Sequence, residues 1–290
     1  METKTDLAIV LKTVTFEERH RIVTGLTAEH GRISCVARNS IQSRRFGGSL
    51  EPFSAAQWQW VEKEGSDLGR LDSAEIKRSY EGLRKSFEKL AMASSLSEIL
   101  LRVAPEHEPC PDLFRLHSNA LALVEEGSDP APGAPPDLKL LNFYLGKLLQ
   151  WSGNQPQILR CLSCETPLEN VPCESALTWS IAEAAWRCHS CRGSESAHVR
   201  RREGVAFQHT LIRVMPTAIR DLVFALENPI RKAMESAHAG KEEHRGLFTL
   251  MEALMLYHIP GFDQTPLKSL RFVREPTLLE PGSHPTFGPA

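Results

Sequence analysis

Two Cys-x-x-Cys pairs, Cys161/Cys164 and Cys188/Cys191, are separated by 23 residues in a chain of 290. A two-residue gap lets one tight turn aim both sulfurs at a single point. A second such turn about a hairpin's length later completes a closed tetrahedron, the ligand set of a structural zinc ribbon. The gap slightly exceeds the usual ribbon spacing and leaves room for an elaborated hairpin. Cys173 lies between the pairs as an alternative ligand or a small core or surface residue, and His189 and His198 stand nearby as alternatives or as surface residues. A thioredoxin-like redox reading needs a βαβ context that the flanking sequence lacks.

Hydrophobic period divides the rest of the chain. Apolar and β-branched runs at Asp6 to Val14, Arg21 to Leu26, Arg32 to Ala37, Ala55 to Val61 and Arg70 to Lys77 are separated by polar or glycine-containing turns. Five short strands in roughly 80 residues fit a small closed barrel, of which the OB-fold is one common type. After Ser79 the period becomes helical: Leu83 to Val103, Leu113 to Val124, Leu138 to Leu149, Ile219 to Leu226 and Leu247 to Met255 each place apolar residues on one face. The predicted fold is α+β, with an N-terminal five-stranded OB-fold barrel and a helical domain carrying an inserted four-cysteine zinc ribbon. Its expected divisions are barrel 1–79, helical part 80–157, ribbon 158–206, second helical part 207–280 and a frayed tail 281–290. An insertion of about 50 residues has little core of its own, so zinc loading, worth roughly 10–16 kcal/mol in small peptides, is expected to be a folding event.

Charge is informative locally. Lys+Arg 34 against Asp+Glu 36 gives a formal charge of −2, so an anionic partner must be met by patches and not by the overall field. One patch is Arg19, Arg21, Arg32, Arg38, Arg44 and Arg45, with Glu29 the only acid between Arg19 and Gly48. On a barrel these residues would line the second and third strands and the next loop, where phosphate contacts and stacking hold single strands. Phe46 either stacks on a base or packs into the barrel end. Arg187, Arg192, Arg200, Arg201 and Arg202 flank the distal cysteine pair and either extend that track or solubilise the ribbon. Trp58 and Trp60 share one face of a strand, as a stacking platform or, by default, as core.

The chain lacks the sequence signatures of phosphate-binding loops, zinc proteases and serine-hydrolase elbows. Neither cysteine pair follows the proline of a zinc deaminase, and four thiolates leave no open metal position. No catalytic residue is therefore assigned. The start has only a short apolar run, so neither a signal peptide nor a membrane span is expected, and a cytoplasmic location follows.

Several stretches together resemble the RecO family of bacterial recombination-repair proteins. They include Ala8-Ile9-Val10-Leu11-Lys12-Thr13, Arg21-Ile22-Val23-Thr24, Glu29-His30-Gly31-Arg32-Ile33-Ser34, Val36-Ala37-Arg38 and Arg45-Phe46-Gly47-Gly48. Leu68-Gly69-Arg70-Leu71, Tyr80-Glu81-Gly82-Leu83 and the closing Leu267-Lys268-Ser269-Leu270-Arg271-Phe272 are similar to that family as well. The likeness is densest over the first 55 or so residues. The resemblance implies an OB-fold followed by a helical domain that carries a zinc ribbon in many members. It implies a mediator that binds single- and double-stranded DNA and anneals complementary strands without ATP at the nucleoid. The implied partners are RecR, in some settings RecF, the acidic phenylalanine-ended tail of the single-stranded-DNA-binding protein, and RecA indirectly. The motif-aligned DNA contacts it implies are Arg32, Arg38, Arg44 and Arg45. A protein-interaction scaffold and a zinc hydrolase or deaminase are the competing readings.

Overall fold

The computed structural model describes residues 3–41, 45–62, 68–129, 137–191, 211–262 and 267–270. Five strands, β1 (Thr3–Phe16), β2 (His20–Thr27), β3 (Arg32–Ala37), β4 (Ala55–Val61) and β5 (Gly69–Arg78), close into a barrel in the order β1-β2-β3-β5-β4. All pairings are antiparallel except the short parallel contact of β3 with β5. Alternation along the strands fills the barrel. Ile33, Cys35 and Ala37 point inward with Trp58 and Trp60, both fully buried, so the tryptophan pair is core. The other face of β1 turns away from the barrel: Ile9 and Leu11, with Leu26 of β2, belong to the core of the helical part.

That part comprises α1 (Phe87–Val103), α2 (Pro111–Glu126), α3 (Leu138–Trp151), α4 (Pro216–Glu227), the short α5 (Ile230–Ala233) and α6 (Lys241–His258). Ser86 caps α1 by accepting from the Lys89 amide, Asp137 caps α3, and Pro111 and Pro216 open α2 and α4 where a missing N–H costs nothing. No helix among the described residues is long and apolar enough to cross a membrane.

Between α3 and α4 lie β6 (Leu177–Ser180), β7 (Ala185–Arg187) and β8 (Leu211–Val214), a sheet in the order β7-β6-β8. Hydrophobic period did not announce β8, four residues that pair with β6 from beyond the ribbon segment. Through it the ribbon sheet is joined to the helices. Trp179 and Trp186 face each other across β6 and β7, both fully buried, and share one core with Leu247, Met251 and Leu254 of α6. The residues 281–290 lie outside the described ones.

Candidate nucleic-acid interface and cysteine cluster

The outer face of the barrel follows from register. Val14 pairs with Ile22, Ile22 with Val36 and Val36 with Arg70, so one row crosses β1, β2, β3 and β5. Val14 is 44% exposed and Phe16, two residues on, 40%. Lys12, Arg19 and Arg38 are exposed around this β-branched strip, as is Arg70, whose guanidinium is held by both oxygens of Asp72 at 2.9 and 3.3 Å. A flat apolar strip with an exposed aromatic and a cationic margin can take base faces while phosphates meet the cations. His20 pairs with Phe16, and its Nδ1 accepts from the Asn39 amide at 2.9 Å, which ties the first turn to the chain leaving β3.

The residues expected to touch DNA occupy different places. Arg38 is exposed one residue past β3. Arg45 is also exposed, donates to the Asp72 carbonyl, and lies with its guanidinium carbon 5.5 Å from the centre of the Phe46 ring. Phe46 itself is only 3% exposed and packs in the barrel core, so the structure gives it the packed alternative and not a stacking surface. Arg32 is ion-paired to Glu106 at 2.7 Å across the seam with the helical part. Arg44 lies outside the described residues. Phe16 is the aromatic that sequence reasoning missed; the alternation Lys12, Val14, Phe16 was the signal that could have found it.

Several acids are engaged by cations of the same chain. Glu62 pairs with Lys4 at 2.7 Å, Glu125 with Arg78 at 2.7 Å, and Glu126 takes both amino groups of Arg231 at 2.8 and 2.9 Å.

The four cysteines converge. The sulfurs of Cys161, Cys164, Cys188 and Cys191 all lie within 4.8 Å of one another, and Cys164 and Cys188 are 3.7 Å apart. Tetrahedral zinc with bonds of ~2.3 Å would hold sulfurs about 3.8 Å apart, so the donor set fits that ion. Local geometry aims them: Glu165, at φ 57°, donates its amide to the Cys161 carbonyl at 2.9 Å, and the Cys191 amide donates to the Cys188 carbonyl at 3.0 Å. The Thr166 hydroxyl and amide pull the Cys164 thiol down to about 6. Hydrogen bonding with the neighbouring Cys164 and Cys188 sulfurs pushes the Cys191 thiol up to about 12. Cys173 stands outside this cluster, accepting from Arg220 at 2.9 Å. His189 is exposed and outside it as well; His198 lies outside the described residues. Of the arginines flanking the distal pair, Arg187 is 8% exposed and held by both oxygens of Glu183, and Arg192, Arg200, Arg201 and Arg202 lie outside the described residues.

A cavity of about 440 Å³ opens between α2, α3 and α5. Leu113, Leu116, Ile230 and Trp151 line it, with Arg115 and Lys147 among its polar groups. Partial burial lowers the pKa of the Lys147 ammonium.

Comparison with known proteins matches residues 1–80 to the family described as Recombination protein O N terminal and residues 84–213 to Recombination protein O C terminal. The chain is 34% identical over 184 residues to the DNA repair protein RecO of Anaeromyxobacter sp. (strain K), covering 63% of this chain and 68% of that protein. It is 30% identical over 228 residues to the DNA repair protein RecO of Cutibacterium acnes, covering 78% and 88%. It is 27% identical over 269 residues to that of Desulfosudis oleivorans, covering 92% and 96%.

Proposed function

Because the chain belongs to the RecO family of DNA repair proteins, we propose that it is a non-catalytic recombination mediator. It binds DNA on the outer face of the barrel, anneals complementary strands without ATP and, with RecR, loads RecA on single strands coated by the single-stranded-DNA-binding protein. The observation that carries this reading is the Val14–Ile22–Val36 row with exposed Phe16 and its margin of Lys12, Arg19 and Arg38. Annealing requires phosphate repulsion to fall while base edges stay free, and backbone contacts of this kind do that without hydrolysis.

In the same reading Cys161, Cys164, Cys188 and Cys191 hold one zinc ion that braces the ribbon. With every tetrahedral position taken by sulfur the ion supplies structure and leaves no site for an activated water. The cavity lined by Leu113, Leu116 and Ile230, with Arg115 and Lys147 in it, supports docking of an acidic tail ending in phenylalanine. The ring would enter the apolar part and the terminal carboxylate would meet a cation.

One annealing experiment tests these assignments, run on bare strands and on strands coated with the single-stranded-DNA-binding protein. Arg38→Ala and Phe16→Ala are expected to slow both reactions, and Lys147→Glu only the coated one. Unchanged annealing of bare strands by the first two variants would favour a scaffold that contacts proteins alone.

A further inference from the structure

The turn between β2 and β3 holds the barrel to the helical part. Gly31 has φ 63°, and a Cβ there would lie 2.4 Å from the Glu108 carbonyl oxygen and 2.5 Å from that of Pro105. Backbone of the two parts is therefore in direct contact. The Arg32 amide donates to the Pro105 carbonyl at 2.8 Å, and the Cys110 amide returns a bond to the Ala28 carbonyl at 2.8 Å. Thr27 closes the turn from within, its amide and hydroxyl both donating to the Gly31 carbonyl at 2.8 and 3.1 Å. The Arg32 side chain completes the seam. Its guanidinium meets Glu106 at 2.7 Å, and its Nε donates at 3.4 Å to the carbonyl of Ala104, the residue that ends α1. A cation at that position also faces the negative end of the helix.

We infer that the β2–β3 turn is an interdomain clasp and that Arg32 is a positioning residue, which sets the angle between barrel and helices and makes no phosphate contact. This rests on the reading of the barrel face as the DNA surface. The physical ground is competition: to reach a phosphate, Arg32 must give up a carboxylate, a carbonyl and the helix end together. Arg38 faces solvent beyond β3 and carries no such commitment in the seam. The clasp would fix the DNA face of the barrel relative to the cavity between α2, α3 and α5, so that DNA and a docked tail are presented in one geometry.

The test uses the full chain, a labelled single-stranded oligonucleotide titrated across a salt series, and hydrogen exchange at the Cys110 amide. Arg32→Ala is expected to leave the affinity within about twofold and the salt slope unchanged, while Cys110 exchanges about tenfold faster, the effect of losing a charged hydrogen bond. The swap Arg32→Glu with Glu106→Arg is expected to recover only the ion-pair part of the protection of Cys110, because a carboxylate at position 32 cannot donate to the Ala104 carbonyl and is repelled by the end of α1. A fall in salt slope of about 0.7 on Arg32→Ala, the loss of one single-strand phosphate contact, would overturn the inference. So would unchanged exchange at Cys110. Arg38→Ala is the reference, expected to lower the slope without altering Cys110. If it leaves binding untouched, the DNA reading of the barrel fails while the clasp is still decided by the exchange data.

Discussion

Replacing Gly31 by alanine separates two costs that the structure lets one weigh. The first is backbone conformation: an L-residue at φ 63° costs about 1–2 kcal/mol. The second is space. The new Cβ would stand 2.4 and 2.5 Å from two backbone oxygens, roughly an ångström inside the usual carbon–oxygen contact, and no side chain can swing aside to relieve it. The turn must withdraw from the loop between α1 and α2. That lengthens the Arg32 to Pro105 and Cys110 to Ala28 hydrogen bonds, each worth about 1 kcal/mol. Gly31→Ala is therefore expected to destabilise the full chain by about 3–4 kcal/mol. Gly47 is the matched control, with φ 51° and nothing within 4 Å of an added Cβ; alanine there pays only the conformational cost of about 1–2 kcal/mol. Urea denaturation of both variants gives the difference directly. Equal losses at the two positions would refute the reasoning, because the close approach at the seam would then carry no energy.

Two other expectations are independent of the barrel. Cys188→Ser should abolish stoichiometric zinc in the purified chain, measured by elemental analysis, and lower the unfolding temperature of the helices as well, since Trp179 and Trp186 share their core. A variant that keeps its metal would sink the four-sulfur site. His117 is fully buried between Ser97 and Tyr144, and burial pushes it down to about 3. Below its unfolded value of about 6.5 the unfolded chain binds a proton that the native imidazole refuses. Stability should therefore fall by about 1.4 kcal/mol per pH unit between those values, and His117→Gln should lack this part of the slope. Denaturation midpoints from pH 7 to 5 read it out, and parallel curves for the two proteins would contradict it.

Much of the fold was legible because alternation and helical spacing are local. Ile33, Cys35 and Ala37 declare an inward face, and Trp58 and Trp60 share one, whatever the partner strand. The strand β8 could not be read so. Leu211-Ile212-Arg213-Val214 is too short to show a period, and it becomes a strand only because β6 presents a free edge to it. The cysteine cluster was legible because two-residue gaps fix sulfur geometry within a turn, leaving only the approach of the two turns to tertiary structure. Phe46 shows the opposite case. Its arginine-rich surroundings suggest a surface residue, yet the chain folds back through the Ser49 amide, which donates to the Phe46 carbonyl at 2.9 Å, and the ring turns into the barrel. The pairing of Arg32 was illegible for the same reason: its partner Glu106 is 74 positions away, and no pattern along the chain links them.

Net charge is the coarsest guide to this surface. A phosphate near β2 is screened beyond ~10 Å at 0.1 M salt, so it responds to nearby groups and not to the formal −2. Arg21 is paired with Glu51, Arg32 with Glu106 and Arg78 with Glu125, and these couples largely cancel at that distance whatever their number. Among the described residues, what remains around the apolar row is Lys12, Arg19 and Arg38, Arg70 being held by Asp72. These are opposed by Glu17 and Glu18 in the first turn, of which Glu17 lies 3.5 Å from His20. If this face is the DNA surface, few uncompensated cations among the described residues imply few phosphate contacts on it and a shallow contribution to the salt slope. On that reading the Val14, Ile22, Val36 and Phe16 surface would supply most of the remaining affinity, a part that does not weaken with salt.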